Sequence, residues 1–224
     1  MNKKVLVIAA HPDDEVLGCG GTIALHSKNG DDVFTIIMCE GESLRYGSGN
    51  LGQDKAIECA GKILGVKKNY WLGFPDQRLD KFSLIELINP IEKIIKEVNP
   101  QIVYCQYGGD VNRDHEILFK AILVSTRPLN YSINGVYAFD TASSTEWGYP
   151  YTFNPDTWVD ISSSLEQKIE AFKCYDSEVR KYPHPRSIEA IKNRAYAWGN
   201  RVCLKAAEVY MTIRRVIRDG QAPL

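Results

Sequence analysis

Lys3-Lys4-Val5-Leu6-Val7-Ile8-Ala9-Ala10-His11-Pro12-Asp13-Asp14-Glu15 is the stretch from which the rest of this 224-residue sequence is read. From Lys3 to Ala10 the residues are apolar after the lysines and rich in β-branched types, the pattern of a strand buried on both faces. The strand then runs into an imidazole and two adjacent carboxylates, which are costly to bury unless something cationic accompanies them. A divalent metal meets that need. A histidine at i and a carboxylate at i+3 can converge on one ion across a turn stiffened by Pro12. Asp13 then points elsewhere and is available to accept a proton from a water on the ion. The competing reading is that one Asp caps the next helix and His11 merely packs, and for an isolated His-x-x-Asp that reading is favoured.

Downstream, strands alternate with helices. Gly18-Cys19-Gly20-Gly21 reads as a turn and Thr22 to Lys28 as a helix closed by Asn29-Gly30. Val33 to Met38 is a strand, Asp54 to Leu64 a helix ended by Gly65, and Tyr70 to Phe74 a strand. Ser83-x-x-Glu86 opens a helix to about Val98. Ile102 to Tyr107 is a strand, Asp114 to Thr126 a helix and Gly135 to Phe139 a strand. Ser163-x-x-Glu166 opens a helix through Cys174, and Ser187 to Trp198 and Val202 to Arg218 read as helices. This alternation implies βαβ units around a mostly parallel sheet, in one α/β domain over residues 1–224. Chemistry in such sheets sits beyond the carboxyl ends of the strands. The segments to inspect are therefore His11 to Glu15, Cys39 to Arg45 and Tyr107 to His115.

The third segment shifts the balance at the first. Asp110-Val111-Asn112-Arg113-Asp114-His115 follows a strand that neighbours the first in the usual doubly wound order. His115 begins a helix, and Asp114 caps that helix or orients an imidazole. Two histidines, one carboxylate and open positions describe a catalytic zinc site, where bound water has a pKa of roughly 7. The same ligand set occurs in non-haem iron oxygenases, usually on a β-barrel, so that class stays a minor alternative. A dinucleotide site is rejected, because Ile23 stands where the third glycine of the fingerprint belongs and the acidic run would repel phosphate.

Ala10-His11-Pro12-Asp13-Asp14-Glu15-x-x-Gly18-x-Gly20-Gly21 strongly resembles the PIG-L/LmbE-like de-N-acetylase family. The resemblance continues in Lys55-x-x-Glu58, Leu64-Gly65-Val66, Gly73-Phe74-Pro75-Asp76, Asp114-His115 and Pro183-His184-Pro185-Arg186-Ser187. It implies a Rossmann-like (LmbE-like) fold and zinc-dependent removal of acetyl from an N-acetylglucosamine-type conjugate. It also implies His11, Asp14 and His115 as metal ligands and Asp13 as general base, as the spacing does; Fe2+ or another divalent ion stays open. Many relatives carry His-Pro-Asp-His where this chain has Asn112. Asn112 can donate to an oxyanion but cannot protonate a leaving amine at neutral pH. That leaves Asp13, or His184 between two prolines, as the acid; His184 otherwise reads as a packing or surface residue. Arg186 is a substrate anchor or a helix-start residue, and Arg45 a loop residue at the pocket mouth or a solvated charge. Trp147 is a better candidate for stacking on a sugar than Trp158 or Trp198, although aromatics more often fill cores. His26 reads as a surface position.

Composition narrows the partners. A net charge of −1 offers no field for nucleic acid or an anionic membrane, and no apolar run is long enough to span a bilayer. The expected partner is a small amino-sugar conjugate, with homo-oligomerisation open and the cytoplasm the expected compartment. Six scattered cysteines without a Cys-x-x-Cys pair read as buried reduced thiols. Two further functions stay in view: an amidase for a larger N-acyl sugar conjugate, and a non-catalytic carbohydrate-binding homologue.

Overall fold

The computed structural model describes residues 2–41, 52–129 and 132–218. Strand β1 (Lys4–Ala9) is the centre of the molecule, and every residue from Val5 to Ala10 is fully buried. Its alternation assigns the two layers. Val5, Val7 and Ala9 pack into the core beneath helices α1 (Asp14–Lys28), α2 (Gln53–Leu64), α5 (Leu165–Lys173) and α6 (Ile188–Asn200). Leu6, Ile8 and Ala10 pack into the opposite core with α3 (Leu84–Val98) and α4 (Arg113–Ser125). A strand covered by helices on both sides has no polar face, which is why its sequence is a continuous apolar run.

The remaining strands are β2 (Asp32–Cys39), β3 (Lys68–Phe74), β4 (Ile102–Gln106), β5 (Gly135–Phe139), β6 (Thr157–Asp160) and β7 (Ala207–Arg215). The sheet order is β3-β2-β1-β4-β5-β7-β6; β1 to β5 are parallel, and β7 is antiparallel to β5 and β6. The expected mostly parallel α/β sheet, with β1 beside β4, is what forms. Ser83 and Glu86 make the expected capping box at the start of α3.

Three expectations need correcting. The glycine run is no turn: α1 begins at Asp14 and runs straight through Gly18, Gly20 and Gly21. A Cβ on Gly18 would lie 2.1 Å from the Phe139 ring, and one on Gly21 2.8 Å from Ile161, so the glycines let the helix lie against β5 and the chain before α5. Gly18→Ala is expected to destabilise the fold by about 1–3 kcal/mol, as overpacking does, measured as a lowered denaturant midpoint. The stretch from Val202 to Arg218 contains strand β7 rather than a helix. Val209, Met211 and Ile213 alternate with Tyr210 and Thr212, a period-two pattern of β-formers that completes the sheet beyond β5.

The third correction concerns cysteine. Cys59 of α2 and Cys174 after α5 are joined in a disulfide, because α2 packs on α5 and brings their Cα atoms to 6.0 Å. Cys19, Cys39 and Cys105 are buried thiols as expected, and Cys203 is exposed. With that pair oxidised, cysteine usage no longer argues for a reducing compartment. Among the described residues no helix is long and apolar enough to cross a membrane.

Candidate metal centre

Four parallel strands deliver their carboxyl ends to one spot. β1 leads to His11, β2 ends at Cys39, β3 leads to Asp76 and Gln77, and β4 leads to Asp110 and the start of α4. Asp13 has a positive φ of 103°. A non-glycine residue held there costs about 1–3 kcal/mol, and such positions gather at functional sites. The bend turns the chain into α1, whose Val16 and Leu17 amides donate to the Asp13 carbonyl. Asp14, first in the helix, swings back beneath His11.

The resulting contacts are tight. His11 Nδ1 lies 3.2 Å from Asp14 Oδ2 and 3.2 Å from His115 Nε2, and His115 Nε2 is itself 3.2 Å from Asp14 Oδ2. Two bonds of about 2.0–2.1 Å on a tetrahedral ion span about 3.3 Å, so the three donors are spaced as ligands of one zinc-sized cation. Asp14 Oδ2 also accepts from the His11 amide and Gln106 Nε2, while its buried Oδ1 has no hydrogen-bond partner. An orphaned carboxylate oxygen within this donor set fits a cation. A second grouping, His11 with Cys39 and Asp114, is also compact. Without an ion, burial pushes the Cys39 thiol up to about 11, and Sγ, 3.7 Å from Asp114 Oδ2, is placed to donate to that carboxylate.

Carboxylates hold the far side of each ring. His11 Nε2 is 3.2 Å from both Asp114 Oδ2 and Asp76 Oδ1, with Gln77 Nε2 at 3.3 Å. His115 Nδ1 is 3.2 Å from Asp110 Oδ2, and Asp110 in turn accepts from Ser144 and Thr145 hydroxyls. Asp114 also receives the Leu79 amide. The bonds to His11 fix that ring's orientation and tautomer, whereas His115 Nδ1 faces Asp110 at ion-pair distance without hydrogen-bond geometry. Burial opposes charging both rings, but the carboxylates outweigh it: His11 is raised well above its usual value, chiefly by bonds to Asp114 and Asp14, and His115 is raised to about 9 by Asp14 and Asp110. Asp14 moves the other way, burial being overcome by the charge of His115 and the bond from His11.

Asp13 is buried beside this trio and bonded by Arg186 Nη1 at 2.8 Å, which also holds Glu178 at 2.7 Å. Burial raises the Asp13 carboxyl, Arg186 lowers it, and the neighbouring acids Asp14, Glu178 and Glu15 leave it well above the usual carboxylate range. Glu15 accepts from Tyr175 at 2.5 Å and is raised by burial to about 7. His11, Asp13, Asn112, Gln53, Glu178 and Arg186 are among the walls of a cavity of about 20 Å3, room for one or two waters.

Most of the candidate residues therefore meet: His11, Asp13, Asp14, Asn112, Asp114, His115 and Arg186. Asn112 Oδ1 caps α4 by accepting the Asp114 amide, which leaves Nδ2 as its donor. His184 is not among the residues lining the cavity. Its Nδ1 accepts the Arg186 amide, and burial with the charges of Arg186 and Arg180 lowers its pKa, which disfavours the charged imidazolium. Arg45 lies outside the described residues. Trp147 is half exposed on the loop after β5, while Trp158 and Trp198 are less so. Sequence reasoning missed Asp76, Asp110, Gln106 and Glu178. The first two follow strands, a signal that was available; Gln106 hides in an apolar strand, and Glu178 arrives from far along the chain.

Comparison with known proteins gives the family and the fold. The GlcNAc-PI de-N-acetylase (PIG-L) family matches residues 6–125, more than half of the chain. A diacetylchitobiose deacetylase from Thermococcus kodakarensis is 31% identical over 189 residues, 79% of this chain and 70% of that protein. A 4-oxalmesaconate hydratase from Pseudomonas putida is 28% identical over 77% of this chain and 72% of its own. In fold the chain is similar to N,N'-diacetylchitobiose deacetylase from Pyrococcus horikoshii, with a TM-score of 0.77, 24% identity, and 94% and 84% of the two chains covered. The chain belongs to the PIG-L family of de-N-acetylases and is an enzyme of the amide-hydrolase class.

Proposed function

We propose that the protein is a zinc-dependent de-N-acetylase acting on an N-acetylglucosamine-type conjugate, with His11, Asp14 and His115 holding the metal. The observation that carries this is the convergence of His11 Nδ1, His115 Nε2 and Asp14 Oδ2 beside the buried carboxylate of Asp13. A zinc ion bound there would polarise the acetyl carbonyl and make water acidic enough to ionise near neutral pH. Arg186 occupies Asp13 Oδ2, so Oδ1 is the oxygen that takes the proton of the attacking water and later returns it to the amine nitrogen. Arg186 keeps Asp13 oriented during both transfers. Asn112 Nδ2 lines the same cavity and is suited to donate to the oxygen that gains charge. His184, neutral and outside the cavity wall, is a weaker acid candidate than Asp13.

The hydratase relative motivates a second reading, since a base beside a cation can also deliver water to a carbon–carbon double bond. Purified protein with zinc, offered N-acetylglucosamine and N,N'-diacetylchitobiose, is expected to release acetate and one primary amine per acetate. Release of a larger acid only from longer N-acyl sugars would favour the conjugate-amidase alternative. Saccharide binding without any acid release would favour the non-catalytic one. Release undiminished after complete chelation would sink the metal mechanism.

A further inference from the structure

The outer nitrogen of His11 is crowded in a way that one hydrogen bond does not explain. Around Nε2 stand Asp114 Oδ2 at 3.2 Å, Asp76 Oδ1 at 3.2 Å and Gln77 Nε2 at 3.3 Å. A ring N–H serves one acceptor well, and Asp114 is the one that receives it. Asp76 lies at the same distance outside hydrogen-bond geometry. Its Oδ1 takes a long 3.5 Å contact from Gln77, and its buried Oδ2 has no hydrogen-bond partner. A buried carboxylate left in that condition calls for a cation.

The surrounding donors are spaced to hold one. Cys39 Sγ stands 3.7 Å from Asp114 Oδ2, and the ligand atoms of His11, Cys39 and Asp114 all lie within 4.8 Å of one another. Tetrahedral zinc, with bonds of about 2.1 Å to nitrogen or oxygen and about 2.3 Å to sulfur, sets N and O about 3.4 Å apart and S and O about 3.6 Å apart. The corresponding separations here are 3.2 and 3.7 Å. The Leu79 amide occupies Asp114 Oδ1, which leaves Oδ2 for the ion. His11 and Asp76 both border the small cavity at the metal centre, which gives an ion a way in.

We infer that His11 Nε2, Cys39 Sγ, Asp76 Oδ1 and Asp114 Oδ2 form a second seat for a zinc-like divalent cation, with the His11 ring bridging it to the first. The seat goes beyond the deacetylase reading and shares with it only His11. Thiolate, imidazole and carboxylate together select zinc over magnesium or calcium, which take oxygen ligands. The ion takes lone pairs from Nε2 and Sγ, and the two protons those atoms carried pass to solvent; a thiol on such an ion is deprotonated outright. That cost makes this seat fill after the one on Nδ1. Once filled, it removes the carboxylate support that strengthens His11 as a donor, so the second ion opposes the first.

Cobalt(II) reports the two seats separately, because only a thiolate ligand gives a near-ultraviolet sulfur-to-cobalt charge-transfer band. Metal-free protein titrated with Co2+ is expected to bind two equivalents, the second bringing the band. Cys39→Ser should bind one equivalent without the band, and that retained equivalent shows the variant to be folded. Asp76→Asn keeps the thiol and should need about tenfold more Co2+ or beyond to reach the band. His115→Asn should lose the equivalent without the band and keep the one with it. A single equivalent lacking the band in wild type, or a band that survives Cys39→Ser, would overturn the second seat and leave the deacetylase reading standing. A single equivalent that carries the band and is lost in Cys39→Ser would support the seat and count against His11, Asp14 and His115 as the first. Failure to bind Co2+ at all would overturn both.

Discussion

Asp13→Asn is expected to lower kcat for acetate release by about 10²–10⁴-fold, the usual contribution of a positioned general base, with KM for the acetylated sugar changed far less. The substitution is nearly isosteric, and the amide oxygen can still accept from Arg186, so the bond to Glu178 and the turn into α1 have reason to persist. On the proposed mechanism, what is lost is the oxygen that takes the proton. The pH profile supplies a second readout. Burial and the neighbouring acids hold Asp13 well above the ordinary carboxylate range despite Arg186, so wild-type activity should rise with pH as Asp13 deprotonates. A cation on Asp14 would draw that limb downward but not abolish it. In the variant the limb should vanish from the residual rate. A variant with kcat within threefold of wild type and the same limb would transfer the base role elsewhere, Glu15 being a neighbouring buried carboxyl held at about 7.

How legible this site was depends on distance along the chain. His11, Asp13 and Asp14 declare themselves because a buried apolar strand cannot end in that triplet without compensation. His115 declares itself because it occupies the matching place after β4. The disposition of β1 beside β4 followed from topology alone. Asp76 and Asp110 were visible as post-strand polar residues, yet nothing local said that they would reach the outer nitrogens of the two histidines. Arg186 was visible but its direction was not: it faces Asp13 rather than open solvent, and Glu178, which shares it, belongs to a short 3-10 turn without any pattern. The glycines of α1 misled because glycine usually breaks a helix, whereas here close packing on Phe139 and Ile161 requires it. Strand β7 misled for a similar reason. Its alternation of Val209, Met211 and Ile213 with Tyr210 and Thr212 was a local strand signal, masked by the charged residues around it, and β5 supplies the edge it pairs with.

Loading zinc into the cation-free protein at pH 7 is expected to release close to two protons, and to tighten by up to about a hundredfold for each pH unit between 6 and 8. The sign follows from the shifts. His115 is raised to about 9 and His11 is raised well above its usual value, so both rings are protonated at neutral pH when no cation is present. A metal takes only the neutral imidazole, and each displaced proton contributes a tenfold change in apparent affinity per pH unit. Asp14, Asp114 and Asp110 are all lowered, so they are already ionised and release nothing. Titration calorimetry in two buffers of different ionisation enthalpy counts the protons directly. Above about pH 9 the dependence should flatten as His115 loses its proton unaided. Asp110→Asn separates ring orientation from ligation: with its outer partner weakened, His115 should bind zinc about 10–100-fold less tightly and give up its proton at lower pH. The released count at pH 7 should then fall toward one. Uptake without proton release in wild type, or a count unmoved in Asp110→Asn, would mean that the cation sits elsewhere than between these two rings.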